Sequence, residues 1–315
     1  MRPRTLLAAG AAALGALLAA QLVQRYQRDR RLWLAQLRAQ SEVIDTARGP
    51  IEYAIVGDGP SLLFAHGAMG GCDQSLLVAR LIRGFKVVAP SRPGHLRTPL
   101  ATGRTPAEQA DAYAALLDAL HIPQIAMIGG SGGGPSALQF ALRHPDRCWA
   151  LVLVCATCLP PPASIVRRYR FWAVLMRSDF LMWAFTHLTF DALLAFDGIR
   201  PAVRARLGRD DGAMDIVRGL LLIHSSESRR AGLVNDLAQA KTALPISGLE
   251  RLTQPTLVIH GAADPIVPFS NAEYVARAIP GATLLAIKGG GHLCIVTHRD
   301  IAIPRLEAFL RRHAP

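Results

Sequence analysis

Ile125-Ala126-Met127-Ile128-Gly129-Gly130-Ser131-Gly132-Gly133-Gly134-Pro135-Ser136 is the stretch on which the reading of this chain turns. Its first part is a short apolar run of strand type, and its last part opens a helical pattern, Pro135–Arg143. Between them sits G-x-S-x-G. Glycines at 129 and 133 permit close approach where the chain reverses sharply, so Ser131 can take a strained, exposed position at a strand's end. Pro135 suits a first helical turn because it has no N–H to leave unsatisfied. A glycine turn whose serine only caps the helix is one alternative. A phosphate loop is another, but it needs a lysine after the glycines or G-x-G-x-x-G near the chain start, and neither fits. The strand-to-helix context favours a nucleophile.

A serine hydroxyl is a poor nucleophile until a base removes its proton, and an acid must hold that base in the right tautomer. Asp264 stands in His260-Gly261-Ala262-Ala263-Asp264-Pro265, just after the apolar run Thr256–His260. His292 stands in Gly289-Gly290-Gly291-His292-Leu293, just after Thr283–Ile287. Alone, Asp264 reads equally as a turn residue before Pro265, and His292 as an incidental histidine in a glycine loop. Both follow strands, and loops at one edge of a parallel sheet converge. Ser131, Asp264 and His292 are therefore the candidate catalytic residues. A fourth part is His66-Gly67-Ala68-Met69-Gly70-Gly71, after the run Ser61–Ala65. The backbone N–H groups of Ala68 and Gly132 are the candidate oxyanion donors. His66 and His95 read as loop organisers.

From about residue 43, apolar runs alternate with helical stretches. Ile51–Val56 and Ser61–Ala65, joined by residues 57–60, read as a hairpin. Lys86–Ala89, Gln124–Ile128, Trp149–Cys155, Thr256–His260 and Thr283–Ile287 read as strands buried on both faces. Pro106–Leu120, Pro135–Arg143, Asn271–Ile279 and Asp300–Arg312 read as helices. The fold class expected is α/β, a doubly wound and mostly parallel sheet. From Leu159 to Glu250 no strand is evident, and aromatic residues accumulate from Tyr169 to Phe196. That interval reads as a helical cap between two core strands. Four segments result: 1–40, hydrophobic with a basic flank; 41–158, first part of the core; 159–250, cap; 251–315, second part of the core.

In His66-Gly67-Ala68, Ser91-Arg92-Pro93-Gly94-His95, Gly129–Gly133, Asp264 and His292, residues 43–313 resemble the α/β-hydrolase superfamily. The resemblance implies this fold, a Ser…Asp…His triad in that chain order, and a variable cap over the site. Relatives often carry an acid where Ser91 stands and a glycine where Leu96 stands. Those departures bear on local packing or substrate contacts, not on the chemistry.

Of the net charge of +12, residues 1–40 hold seven arginines against Asp29, which is 7 − 1 = +6. Half of the excess thus flanks one apolar segment, and no basic run interleaved with aromatics follows. Nucleic acid is not an expected partner. The five cysteines are too scattered for a disulfide framework, and Cys155 and Cys158 read as small buried residues rather than a metal or redox pair. Thr5–Val23 has no charge over 19 residues, with Arg25, Arg28, Arg30 and Arg31 just beyond. It reads as an uncleaved membrane anchor, with the catalytic domain on the cytoplasmic side; a cleaved signal peptide is the alternative.

The function expected is hydrolysis of an ester or related acyl bond in a small, hydrophobic substrate, with no metal or organic cofactor required. Two rivals remain at this point. The same fold and triad serve C–C hydrolases, lyases, cofactor-free peroxidases and acyltransferases, and fold alone does not choose among them. A membrane-tethered binding protein on the same scaffold is the other.

Overall fold

In the computed structural model, which describes residues 3–209 and 212–315 and side chains from residue 13 onward, the apolar runs become one eight-stranded sheet. Its strands are β1 (Glu42–Thr46), β2 (Gly49–Val56), β3 (Ser61–Ala65), β4 (Lys86–Pro90), β5 (Ile125–Gly130), β6 (Cys148–Val154), β7 (Thr256–Gly261) and β8 (Thr283–Ile287). They lie in the order β1-β2-β4-β3-β5-β6-β7-β8. Only β2 runs against the rest, pairing antiparallel with β1 and β4. The sheet is parallel from β4 to β8. Ile125–Ile128 and Leu151–Leu153 have no exposed surface. Such positions bury apolar side chains on both faces, each contributing about 1.5–3 kcal/mol.

The helices are α1 (Pro3–Gln40), α2 (Cys72–Ala79), α3 (Pro106–Ala119), α4 (Gly134–Arg143), α5 (Ala163–Leu175), α6 (Asp179–Leu188), α7 (Phe190–Phe196), α8 (Pro201–Leu207), α9 (Ala213–Leu221), α10 (Glu227–Thr242), α11 (Ser270–Ala278), α12 (Cys294–Thr297) and α13 (Arg299–His313). The start of α3 shows why sequence marks a helix so sharply. Thr105 accepts a hydrogen bond from the Glu108 N–H, the Glu108 carboxylate accepts one from the Thr105 N–H, and Pro106 fills the first turn. Between β6 and β7 the described residues form helices α5 to α10 and no strand.

Two expectations fail. Residues 51–65 do not form a hairpin, because β4 lies between β2 and β3. The Lys86 N–H donates to the Pro60 carbonyl and β3 pairs in parallel with β4, so the groups a hairpin would pair are engaged elsewhere. β2 instead takes its tight turn with β1, Thr46 lying opposite Gly49.

The second failure is the membrane anchor at 5–23, and with it the membrane-associated localisation. Among the described residues no helix is long and apolar enough to cross a membrane. Composition explains it: eight of those 19 residues are alanine, whose transfer energy is close to zero. The same helix then continues through Arg25, Arg28, Arg30, Arg31 and Arg38 to Gln40. The side chains of residues 5–12 lie outside the described residues. Residues up to Ala39 form one unit and Gln40–Pro315 another; all that follows concerns the second.

Candidate active site

The β5 strand ends at Gly130, and the next residue turns the chain into α4. Ser131 takes φ +48°, a left-handed backbone that costs a non-glycine residue roughly 1–2 kcal/mol. The turn closes only because its glycines are bare. A Cβ on Gly133 would stand 2.3 Å from the Ala65 carbonyl oxygen, and one on Gly129 2.6 Å from the Ala137 Cβ. The hydroxyl is thereby held at the carboxyl edge of the sheet, where the loops after β3, β7 and β8 also arrive.

Three of the residues singled out above meet here. His292 Nε2 lies 3.0 Å from Ser131 Oγ, and His292 Nδ1 lies 2.7 Å from Asp264 Oδ2. The other Asp264 oxygen accepts hydrogen bonds from the N–H groups of Ile266 (2.8 Å) and Val267 (3.0 Å). With a carboxylate facing Nδ1, the neutral imidazole carries its proton on that nitrogen, and in this deprotonated form Nε2 accepts from the serine hydroxyl. Burial alone would push the Asp264 carboxyl up. The positive charge of His292, hydrogen bonds from His260 and His292 and the Val267 N–H outweigh it and hold Asp264 below the usual carboxylate range. Burial alone would lower His292, but the Asp264 charge and hydrogen bond raise it to about 9. Ala68 and Gly132, the two candidate oxyanion donors, lie side by side: a Cβ built on Gly132 would stand 3.0 Å from Ala68 N.

The loops carrying these groups are tied to one another. The Arg92 N–H donates to His66 Nε2 (2.8 Å), so His66 Nδ1–H donates to the Gly67 carbonyl (2.8 Å). Burial, reinforced by the charges of His95 and Arg92, keeps His66 neutral. His95 Nε2 donates to the Ala68 carbonyl at 3.0 Å, and burial lowers its pKa to about 4. Both histidines organise the loop that presents the Ala68 amide. The acid missing at Ser91 is supplied from elsewhere. Ser91 Oγ donates to the buried Glu52 carboxylate of β2 (2.8 Å), which also accepts from Ser41 Oγ and from Arg97. Leu96 takes φ +51°, in the left-handed region that favours glycine.

Two cavities meet at Ser131, sharing Ala68, Ser131, Tyr169 and Ile266. The first runs toward α10 and is lined by Ile165, Leu233, Leu237 and Leu244. The second is lined by His292, Trp172, Leu193, Phe196 and Leu221. Of the aromatic residues counted in this interval, Tyr169, Trp172 and Phe196 face the cavities. Buried ion pairs bind α10 to the loop after β4 and to α2: Arg92 pairs through both terminal nitrogens with Asp236, and Arg229 with Asp73 at 2.6 and 3.1 Å. Removing one partner of such a pair costs about 3–5 kcal/mol.

Some members of the site carry no sequence signal. His260 Nε2 stands 3.4 Å from Asp264 Oδ2, and its only motif is the strand in which it lies. Cys155, at φ +45°, places its Sγ 3.5 Å from that of Cys294. Cys155, Asp264 and His292 present ligand-type atoms within 4.8 Å of one another. A metal there would have to displace a hydrogen bond at one of the two His292 nitrogens, both of which are engaged. The turn after α7 also touches the site: the His292 N–H donates to the Asp197 carbonyl at 3.0 Å. A Cβ on Gly291 would stand 2.2 Å from that same oxygen and about 3 Å from Gly198. Gly291→Ala is therefore expected to displace His292, lowering kcat for ester substrates about 10²-fold and costing about 1–3 kcal/mol of stability. Steady-state kinetics and a urea melt would check both.

The sequence profile of the α/β-hydrolase fold matches residues 60–298. The chain belongs to the α/β-hydrolase fold family. This hydrolase is 28% identical over 268 residues to the uncharacterized hydrolase YcgS of Bacillus subtilis, covering 82% of this chain and 93% of that protein. It is 30% identical over 258 residues to a pimeloyl-[acyl-carrier protein] methyl ester esterase of Aromatoleum aromaticum, covering 80% and 98%. Among solved structures it is similar to an α/β-hydrolase fold protein from Nakamurella multipartita. There the TM-score is 0.71, with 32% identity over 86% of this chain and 99% of that one. Named esterases are thus among the relatives of this hydrolase.

Proposed function

We propose that this hydrolase is a serine esterase acting on small, lipophilic esters, with Ser131 as nucleophile, His292 as base and Asp264 as the orienting acid. The observation that carries the reading is the unbroken hydrogen-bond line Asp264–His292–Ser131, at 2.7 and 3.0 Å, ending on a serine held at φ +48°. His292 Nε2 takes the hydroxyl proton as Ser131 Oγ bonds to the carbonyl carbon. The carbonyl oxygen becomes an oxyanion and is met by the N–H groups of Ala68 and Gly132. Collapse breaks the bond to the alcohol oxygen, which receives the proton from His292, and leaves an acyl-serine. Water, deprotonated by the same histidine, then releases the acid. None of these steps calls on a cofactor.

The helical insertion, residues 159–250, acts in this reading as the cap that shapes the substrate. Its contribution to both cavities is chiefly apolar, which favours hydrophobic acyl and alcohol groups. A fluorophosphonate probe is expected to label the protein once per chain, with the adduct on the peptide containing Ser131 and parallel loss of p-nitrophenyl ester turnover. Folded protein that resists labelling overturns the assignment.

A further inference from the structure

Asp197 ends α7 and belongs to no motif. It is 5% exposed, and it lines the second cavity together with Ser131, His292 and Phe196. Its backbone carbonyl accepts the His292 N–H at 3.0 Å, and its carboxyl lies close enough to feel the charge of that imidazole. Gly198, next in the chain, packs against Gly291 and Pro265 of the two loops that carry His292 and Asp264. Among the described residues the Asp197 carboxyl has neither a hydrogen bond nor an ion pair, and the residue lines the cavity. Arg168, the cation nearby, lies instead over the Phe196 ring at 3.9 Å. A buried carboxyl in an apolar chamber without a partner costs stability, and such a cost persists where a ligand supplies the missing bond.

On the esterase reading, each of the two cavities would receive one half of the ester. The alcohol oxygen must come within reach of His292 Nε2 to receive its proton as the ester bond breaks. His292 lines the second cavity and not the first. The alcohol half therefore occupies the second cavity, with Asp197, and the acyl half the first, among the leucines of α10.

We infer that Asp197 is a specificity-determining residue that hydrogen-bonds a free hydroxyl on the alcohol half of the substrate, so that the preferred substrates are monoesters of a diol or polyol. This rests on the esterase reading of Ser131 above. The choice of a hydroxyl follows from the chamber. Burial raises the Asp197 carboxyl to about 7, so both of its forms are present near neutrality. A hydroxyl serves either form, because it donates to the carboxylate and accepts from the acid. An ammonium group would suit only the anion and would be set against Arg168 and the imidazolium formed during turnover. A carbonyl would suit only the acid.

The test uses matched octanoate esters, 2-hydroxyethyl against propyl and 3-hydroxypropyl against butyl, with acid release followed by pH-stat. The wild-type protein is expected to favour at least one hydroxyalkyl ester over its alkyl match by about tenfold or more in kcat/KM, because the alkyl ester leaves the carboxyl unpartnered. In Asp197→Leu the ratio is expected to fall to about one or below, and in Asp197→Asn to be partly restored. Should the leucine variant not fold, the wild-type ratio and the asparagine variant still decide. Wild-type protein that shows no preference for either hydroxyalkyl ester overturns the inference. So does an Asp197→Leu variant that slows both members of a pair equally while shifting the pH profile, since Asp197 would then act only on His292. Fluorophosphonate labelling of the same samples separates the two levels: unlabelled wild-type protein sinks the esterase reading itself, whereas labelled protein without discrimination sinks Asp197 alone.

Discussion

Ser131→Ala is expected to lower kcat/KM for short p-nitrophenyl esters by about 10⁴-fold or more while leaving the fold intact. Magnitude is what makes this decisive. If Ser131 merely bound substrate, losing its hydroxyl would remove one hydrogen bond, about 0.5–1.5 kcal/mol, or roughly a tenfold loss at most. If it forms the acyl bond, no other group at the site replaces it. What survives is catalysis by the Ala68 and Gly132 amides and by binding alone, roughly 10³–10⁴ over water. Stability should move little, because the hydrogen bond to Ser131 Oγ runs to His292 at a partly buried position. A urea midpoint within about 1 kcal/mol of wild type, together with intact circular dichroism, separates loss of chemistry from loss of fold. Turnover close to wild type in folded Ser131→Ala would end the esterase reading.

The parts legible in the sequence were those under local constraint. Strands buried on both faces read as unbroken apolar runs, so β5 and β8 fall within a residue or two of their expected places. The capping residues of α3 lie in the chain in order. Partnership between strands is a different matter, because β2 and β3 are neighbours in sequence and their separation depends on β4, some 20 residues later. The N-terminal stretch failed for another reason: absence of charge over 19 residues is not the same as hydrophobicity when eight of them are alanine. The candidate site divides in the same way. Ser131 stands in a local pattern, and Asp264 and His292 follow strands that can be read. Asp197, His260 and Glu52 come to their positions only through tertiary packing. Glu52 accepts from Ser91 across 39 residues, and nothing at either position announces the pair.

The pH dependence of Asp264→Asn tests the remaining partnership. In the native site Asp264 Oδ1 is committed to the Ile266 and Val267 amides, and Oδ2 to the His292 Nδ1–H. An asparagine that keeps its oxygen on the two amides turns its NH₂ toward Nδ1, setting donor against donor. The imidazole escapes by moving its proton to Nε2, where it can no longer accept from Ser131, and kcat is expected to fall by roughly 10⁴. The charge is removed as well. In the wild-type protein burial opposes protonation of His292, yet the Asp264 carboxylate raises it to about 9, above the ordinary histidine value. A base works only when deprotonated, so kcat/KM of the wild-type protein is expected to fall as pH drops through an acid limb on the alkaline side of neutrality. Without the carboxylate, burial dominates and the limb moves to lower pH by more than about one unit. Measuring kcat/KM from about pH 5 to 10 for both proteins reads the two effects separately, rate from the plateau and charge from the limb. A limb that stays in place, or moves upward, would mean that Asp264 does not set the protonation of His292.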